Sequence, residues 1–132
     1  MSLTMVSRGT AGQPMLAARL RHPAQVAHPV PGQRVAIDGL IDARNVAEVR
    51  AALREAMDHG VGELVVDVGG LELGDATGLG ALLGAHRRAS RCGRTLVLES
   101  VQPTLQRILN YTRLSRVFAV RASTADAGRL LG

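Results

Sequence analysis

The sequence predicts an α/β fold: one domain built on a mixed, mostly parallel sheet of about five strands flanked by helices. Strand-like and helix-like hydrophobic patterns alternate from residue 34 onward, and such alternation calls for βαβ crossovers. The clearest strand candidates are short apolar runs bounded by glycine, the pattern of strands buried on both faces. A chain of 132 residues, 46% of them hydrophobic, holds a single core, since a domain of about 150 residues buries roughly two thirds of its unfolded surface.

The elements follow in order. Residues 1–13 are polar and read as a flexible N-terminal tail, leaving 14–132 as the domain. Met15–Leu20 (MLAARL) is expected as a first strand. Arg21–Gln33 holds three prolines and a glycine, so a turn or irregular connection is expected there. Arg34–Asp38 alternates as a short strand ending at Gly39. From Arg44, Val46, Val49, Leu53 and Met57 recur at spacings of three and four with charges between them, an amphipathic helix closed by Gly60. Glu63–Val68 (ELVVDV) reads as a buried strand. The next helix spans about Ala76–Arg91, with Leu79, Leu82, Leu83 and His86 on one stripe and Gly93 as its stop. Arg94–Glu99 is a further buried strand, and Pro103 opens a third helix with Leu105, Ile108 and Leu109 on its apolar face. Val117–Arg121 is the last strand, and Ser123–Leu131 a terminal helix capped by Ser123 or Thr124.

Charge and composition narrow the function classes. All 16 basic residues are Arg, and the net charge is +5. That balance suits nucleic acid, an acidic partner, or an ordinary solvated surface. With one Tyr, one Phe and no Trp, the stacking platform that single-stranded nucleic acid needs is missing. The densest basic segment, His86–Arg94, reads either as cations favouring a helix C-terminus or as a docking face. No run of about 18 apolar residues is present, and the opening MSLTMVSRGT lacks an apolar signal region. Cys92 stands alone, which fits a reducing cytoplasm and a buried or half-buried structural thiol. His22, His28, His59 and His86 are dispersed, so no metal site is expected. Asp67 and Glu72 do not form an acid and base pair, and neither an enzyme nor a cofactor is expected.

Between strand and second helix lies the glycine-rich GGLELGDATGLG, residues 69–80. In an open α/β sheet, partners meet the loops at the carboxyl ends of strands. Asp75 occupies the N-cap position, placing Ala76 at N1, Thr77 at N2 and Gly78 at N3. A phosphate on Thr77 would lie at the positive end of the helix dipole and leave the helix intact. On these residues alone, Asp75 as a simple cap, Thr77 as a tolerated N2 residue and Gly78 as packing is the simpler account. No Gly-Lys-Ser/Thr follows and no GxGxxG is complete, so nucleotide binding by this loop is not expected.

Glu63–Ala89, ELVVDVGGLELGDATGLGALLGAHRRA, resembles the signature of the STAS domain of anti-sigma-factor antagonists: strand, loop, Asp-Ser-Ser-Gly, then a helix. The resemblance extends upstream through IDGLIDARNVAEVRAAL (Ile37–Leu53) and downstream through Leu96–Val120. It implies a single STAS-type domain acting as a cytoplasmic binding module. Its implied partner is an anti-sigma factor that is also a Ser/Thr kinase, with a phosphatase resetting the switch. Carried over by position, Thr77 falls on the phosphoacceptor, Asp75 and Gly78 on the motif Asp and Gly, and Asp42 on the Asp of the family's Gly-Glu-Leu-Asp segment. The implied partner surface is Asp42, Asp75, Ala76, Thr77, Gly78 and Leu79. Ala76 and Thr77 replace the two serines, Leu40 replaces a Glu, and Gly74 replaces a bulky apolar residue. Relatives with a Thr acceptor also occur in stress-sensing scaffolds and as STAS subunits of lipid-transport ABC systems, which is the alternative reading. A small basic nucleic-acid-binding protein is the alternative from another class.

Overall fold

The computed structural model describes residues 22–122. The expected strand at Met15–Leu20, the tail 1–13 and the helix at Ser123–Leu131 lie outside these residues. Within them, five strands, β1 (Gln25–Val30), β2 (Arg34–Ile41), β3 (Glu63–Leu73), β4 (Thr95–Glu99) and β5 (Ala119–Arg121), form one sheet in chain order. The β1–β2 pair is antiparallel and the other three pairs are parallel. The helices α1 (Val46–Asp58), α2 (Ala76–Arg91) and α3 (Pro103–Tyr111) make the three crossovers. Each crossover steps to the next strand in the same direction, so right-handed connections place all three helices on one face.

The core fills the space beneath them. Val35, Ile37 and Ile41 of β2, Leu64, Val66 and Val68 of β3, and Leu96 and Leu98 of β4 meet Val49, Leu53, Leu82, Leu105 and Leu109 of the helices. On the opposite face, Arg34 of β2 reaches across β3 to Glu99 of β4 in a two-pronged ion pair, 2.5 and 3.3 Å, with Glu99 only 3% exposed. Glu99 holds the Arg34 guanidinium above its ordinary value, chiefly through that hydrogen bond.

Three sequence expectations need correction. The described part of the segment, 22–33, is not simply irregular, because β1 occupies half of it as an edge strand paired with β2. Prolines are tolerated there since an edge strand does not need every N–H, and the register slips between Ala27 and Val30, around Pro29. Pro31 and Gly32 close the hairpin, with Gly32 at φ +77° and Gln33 N–H bonding the Val30 carbonyl. β3 does not stop at Val68 but continues to Leu73 through a bulge, where Ala36 pairs with Asp67 and Asp38 with Gly70. The Asp67 carboxylate accepts from Gly69 N–H at 2.9 Å and so satisfies an amide in the bulge. Cys92 is exposed, contrary to the buried or half-buried thiol expected. It follows the last residue of α2 and meets no other cysteine.

Candidate functional site

The extension of β3 to Leu73 leaves only Gly74 and Asp75 between strand and helix. Asp75 is the N-cap of α2, extended at φ −158°, and one of its oxygens, Oδ1, accepts from Thr77 N–H at 2.9 Å and from the Thr77 hydroxyl at 2.5 Å. The other, Oδ2, accepts from Ala43 N–H at 3.0 Å, which ties the α2 start to the loop after β2. A second tie runs from Gly74 N–H to the Ile41 carbonyl at 2.8 Å. Gly78 lets the helix sit this low. A Cβ there would come 2.6 Å from Leu73 Cδ2 and 3.2 Å from Ile41 Cβ.

The loop after β2 is ordered by its own side chains. Asn45 is 9% exposed; its carbonyl oxygen accepts from Asp42 N–H at 3.0 Å and its amide donates to the Leu40 carbonyl at 2.8 Å. Asp42 in turn accepts from Arg44 N–H and from the Arg44 guanidinium, the shortest contact being 2.7 Å.

Both carboxylates ionise more readily than usual. The Arg44 side chain, and then its backbone N–H, hold Asp42 below its ordinary value of 3.8. The Thr77 hydroxyl and then its N–H do the same for Asp75, with a smaller contribution from Ala43 N–H, against desolvation and, smaller still, the Asp42 charge. A carboxyl depressed in the folded state stabilises the fold fully above its unfolded value, and that contribution fades as pH falls through the folded value. Asp75→Ala is therefore expected to melt below the wild type at neutral pH, with the two melting temperatures converging only below the ordinary value of 3.8. Thermal melts followed by circular dichroism across pH check this; a gap that stays constant would mean that the Asp75 charge does not carry the effect.

The structure brings Asp42, Asp75 and Thr77 to one edge of the fold, at the carboxyl ends of β2 and β3. Ala76 is exposed and Thr77 half-buried, whereas Gly78 is buried under Ile41 and Leu73, and Leu79 packs partly against the core. Sequence reasoning missed Arg44 and Asn45. Arg44 partly neutralises the carboxylates Asp42 and Asp75 there, and Asn45 is the N-cap of α1, though its side chain makes no capping bond. An Asx residue before a helical pattern is a cap signal, and it is the one sequence feature by which this loop could be found. His86 lies half-buried at the core margin, edge-on to Phe118 with ring centroids 5.6 Å apart. Among the described residues there is no His, Cys, Asp and Glu grouping that could hold a metal ion. None of the helices described is long and apolar enough to cross a membrane.

A family model described as Mlab, STAS domain matches residues 24–121. Among solved structures, an anti-sigma factor antagonist from Mycobacterium paratuberculosis superposes with a TM-score of 0.60 at 22% identity, covering 81% of this chain and 91% of that one. A STAS domain protein from Planctomyces limnophilus gives 0.59 at 17% identity, over 83% of this chain and 98% of that one. The Bacillus cell fate determinant SpoIIAA in its phosphorylated form gives 0.57 at 23% identity, over 80% and 95%. At these identities the likeness is one of fold.

Proposed function

The chain belongs to the STAS domain family, and from that premise we propose that it is an anti-sigma-factor antagonist switched off by phosphorylation of Thr77. The observation that carries this reading is the capped threonine itself. Its hydroxyl stands in the first turn of α2, half-buried, bonded to Asp75 at 2.5 Å and next to a loop held down by Asp42 and Asn45.

A protein partner laid over this edge covers Asp42, Ala76, Thr77 and Leu79, while Gly78 sets how low the helix rides. Phosphoryl transfer from ATP bound to a kinase partner forms a bond from Thr77 Oγ to the γ-phosphorus and releases ADP and the hydroxyl proton. The hydroxyl then no longer donates to Asp75, and a group of about −1.5 to −2 charge faces that carboxylate. The phosphate turns outward into the partner surface, where a desolvated charge beside carboxylates is unfavourable. A phosphatase that removes it restores the donor and the binding surface.

The family description, with its mention of Mlab, favours a second reading as the STAS subunit of a lipid-transport ABC system. One experiment separates the two. Tagged protein is captured from its own cells, its partners are identified, and phosphate is mapped on it by mass spectrometry. Recovery of a kinase-type anti-sigma factor with phosphate on Thr77 is the expected result, and Thr77→Ala should recover the factor with no phosphate in α2. Recovery of an ABC ATPase in its place would support the second reading and overturn the first.

A further inference from the structure

We propose that the groove between α1 and α2 docks an acidic amphipathic helix of a protein partner. The inference goes beyond the Thr77 switch and does not depend on phosphorylation. The groove has a volume of about 260 Å³, with Arg50 and Arg54 of α1 on one bank and Arg88 and Arg91 of α2 on the other. Its floor is apolar, formed by Leu53, Met57, Ala81 and Ala85, all buried.

The described residues leave most of this charge uncompensated. Arg88 donates to Asp58 at 3.1 Å and 3.2 Å, and its Nε is buried without a partner. Arg50, Arg54 and Arg91 are exposed and make no ion pair with any described residue. The other acids of α1 face elsewhere, Glu48 beside Asp42 and Glu55 beside His59. Four guanidiniums therefore flank a single carboxylate.

Two glycines supply an independent observation. Gly80 and Gly84 lie one turn apart on the exposed side of α2, along the groove. Glycine inside a helix is less favourable than alanine, so such positions usually answer to a close neighbour. Among the described residues they have none: a Cβ on Gly84 would meet nothing within 4 Å, and one on Gly80 only Arg50 Nη2 at 3.6 Å. Missing side chains at that spacing admit the backbone of a second helix close to α2. An apolar stripe on that helix would cover the floor, and carboxylates on its two margins would face the arginine banks. A nucleic-acid strand uses the arginines but neither the apolar floor nor the glycines, and the groove holds no aromatic side chain on which a base stacks.

The test uses the unphosphorylated full chain and, as probe, a fluorescein-labelled synthetic helix with a leucine stripe and glutamates on both sides. Its glutamine counterpart, a DNA duplex and phosphatidylglycerol vesicles serve as competing ligands. The glutamate helix is expected to bind, and its glutamine counterpart at least about tenfold more weakly. Arg50→Glu with Arg91→Glu should weaken the probe by about tenfold or more. Gly84→Leu should weaken it by about fivefold or more while raising the melting temperature, because leucine is the better helix former, so the loss cannot come from unfolding. The proposal is overturned if the glutamate helix does not bind, if Gly84→Leu leaves its affinity unchanged, or if duplex or vesicles bind more tightly than the helix.

Discussion

Thr77→Glu is expected to weaken binding to a kinase-type anti-sigma factor by about 100-fold or more, whereas Thr77→Ala should stay within about tenfold of the wild type. The two substitutions differ in what they leave at the edge. In Thr77→Ala the Asp75 carboxylate loses one donor, the hydroxyl at 2.5 Å, but keeps the backbone N–H of residue 77 and that of Ala43. The cap and the link to the loop after β2 survive. In Thr77→Glu a second carboxylate stands where a donor had been, and it is pushed off Asp75 toward the partner. Burying a like-charged or unpaired group in an interface is worth about 2–5 kcal/mol, and each 1.4 kcal/mol is about a factor of ten. Titration calorimetry with the purified factor measures both variants. Equal affinities for wild type, Ala and Glu would falsify the switch while leaving the fold assignment intact.

Arg94→Met is expected to be the most damaging substitution for stability, about 3 kcal/mol or more, equivalent to a melting temperature roughly 15 °C lower. Arg94 is 6% exposed, and its guanidinium donates to backbone carbonyls from three places. Ala56 and Met57 at the end of α1 accept at 3.2 Å and 2.9 Å, Gly32 in the hairpin turn at 2.6 Å, and Gly62 and Glu63 at the start of β3 at 3.0 Å and 3.1 Å. One side chain thus satisfies the last carbonyls of a helix, where orphan acceptors and the negative end of the dipole favour a cation. It also pins the β1–β2 hairpin to the β3 entry. Methionine fills the volume but removes the guanidinium from those five carbonyls, of which only Ala56 and Gly62 keep a backbone N–H donor, from His59 and Thr95, among the contacts outside the helices and strands. Lysine offers one compact ammonium in place of a five-donor fork, so Arg94→Lys should recover only part of the loss. Arg91→Met, on an exposed neighbour, should change stability by no more than about 0.5 kcal/mol. Urea denaturation of the three variants tests the ordering, and an Arg94→Met cost no larger than that of Arg91→Met would overturn it.

Arg94 also shows where linear reading stops. In sequence it belongs to the basic stretch His86–Arg94 and looks like one more surface cation at the end of a helix. In the fold it turns inward, while Arg88 and Arg91 of the same stretch border the α1–α2 groove. Periodicity could not separate them, because the carbonyls that capture Arg94 come from residues some 30 to 60 positions away. Arg44 was missed for a different reason: its partner Asp42 is only two residues away, and spacing alone does not show that the loop after β2 turns the two side chains onto each other. By contrast the Asp75 cap was legible, since a cap acts within two residues along the chain and so follows from local spacing. The edge strand β1 was missed for a physical reason as well: prolines argue against a central strand but are compatible with an edge, and edge or centre is a property of the sheet.

Local order in this protein is written in local patterns. The three helices, the strands β2 to β5 and the capped threonine follow from hydrophobic period, glycine stops and one Asx cap, each an interaction between residues a few positions apart. Tertiary structure alone decided which charges are used. It turned Arg94 inward and sent Arg34 across β3 to Glu99, and it left three arginines along one groove with no ion pair to any described residue. A charge acquires its role from the groups within a few ångströms of it, and those groups come together only when distant parts of the chain pack.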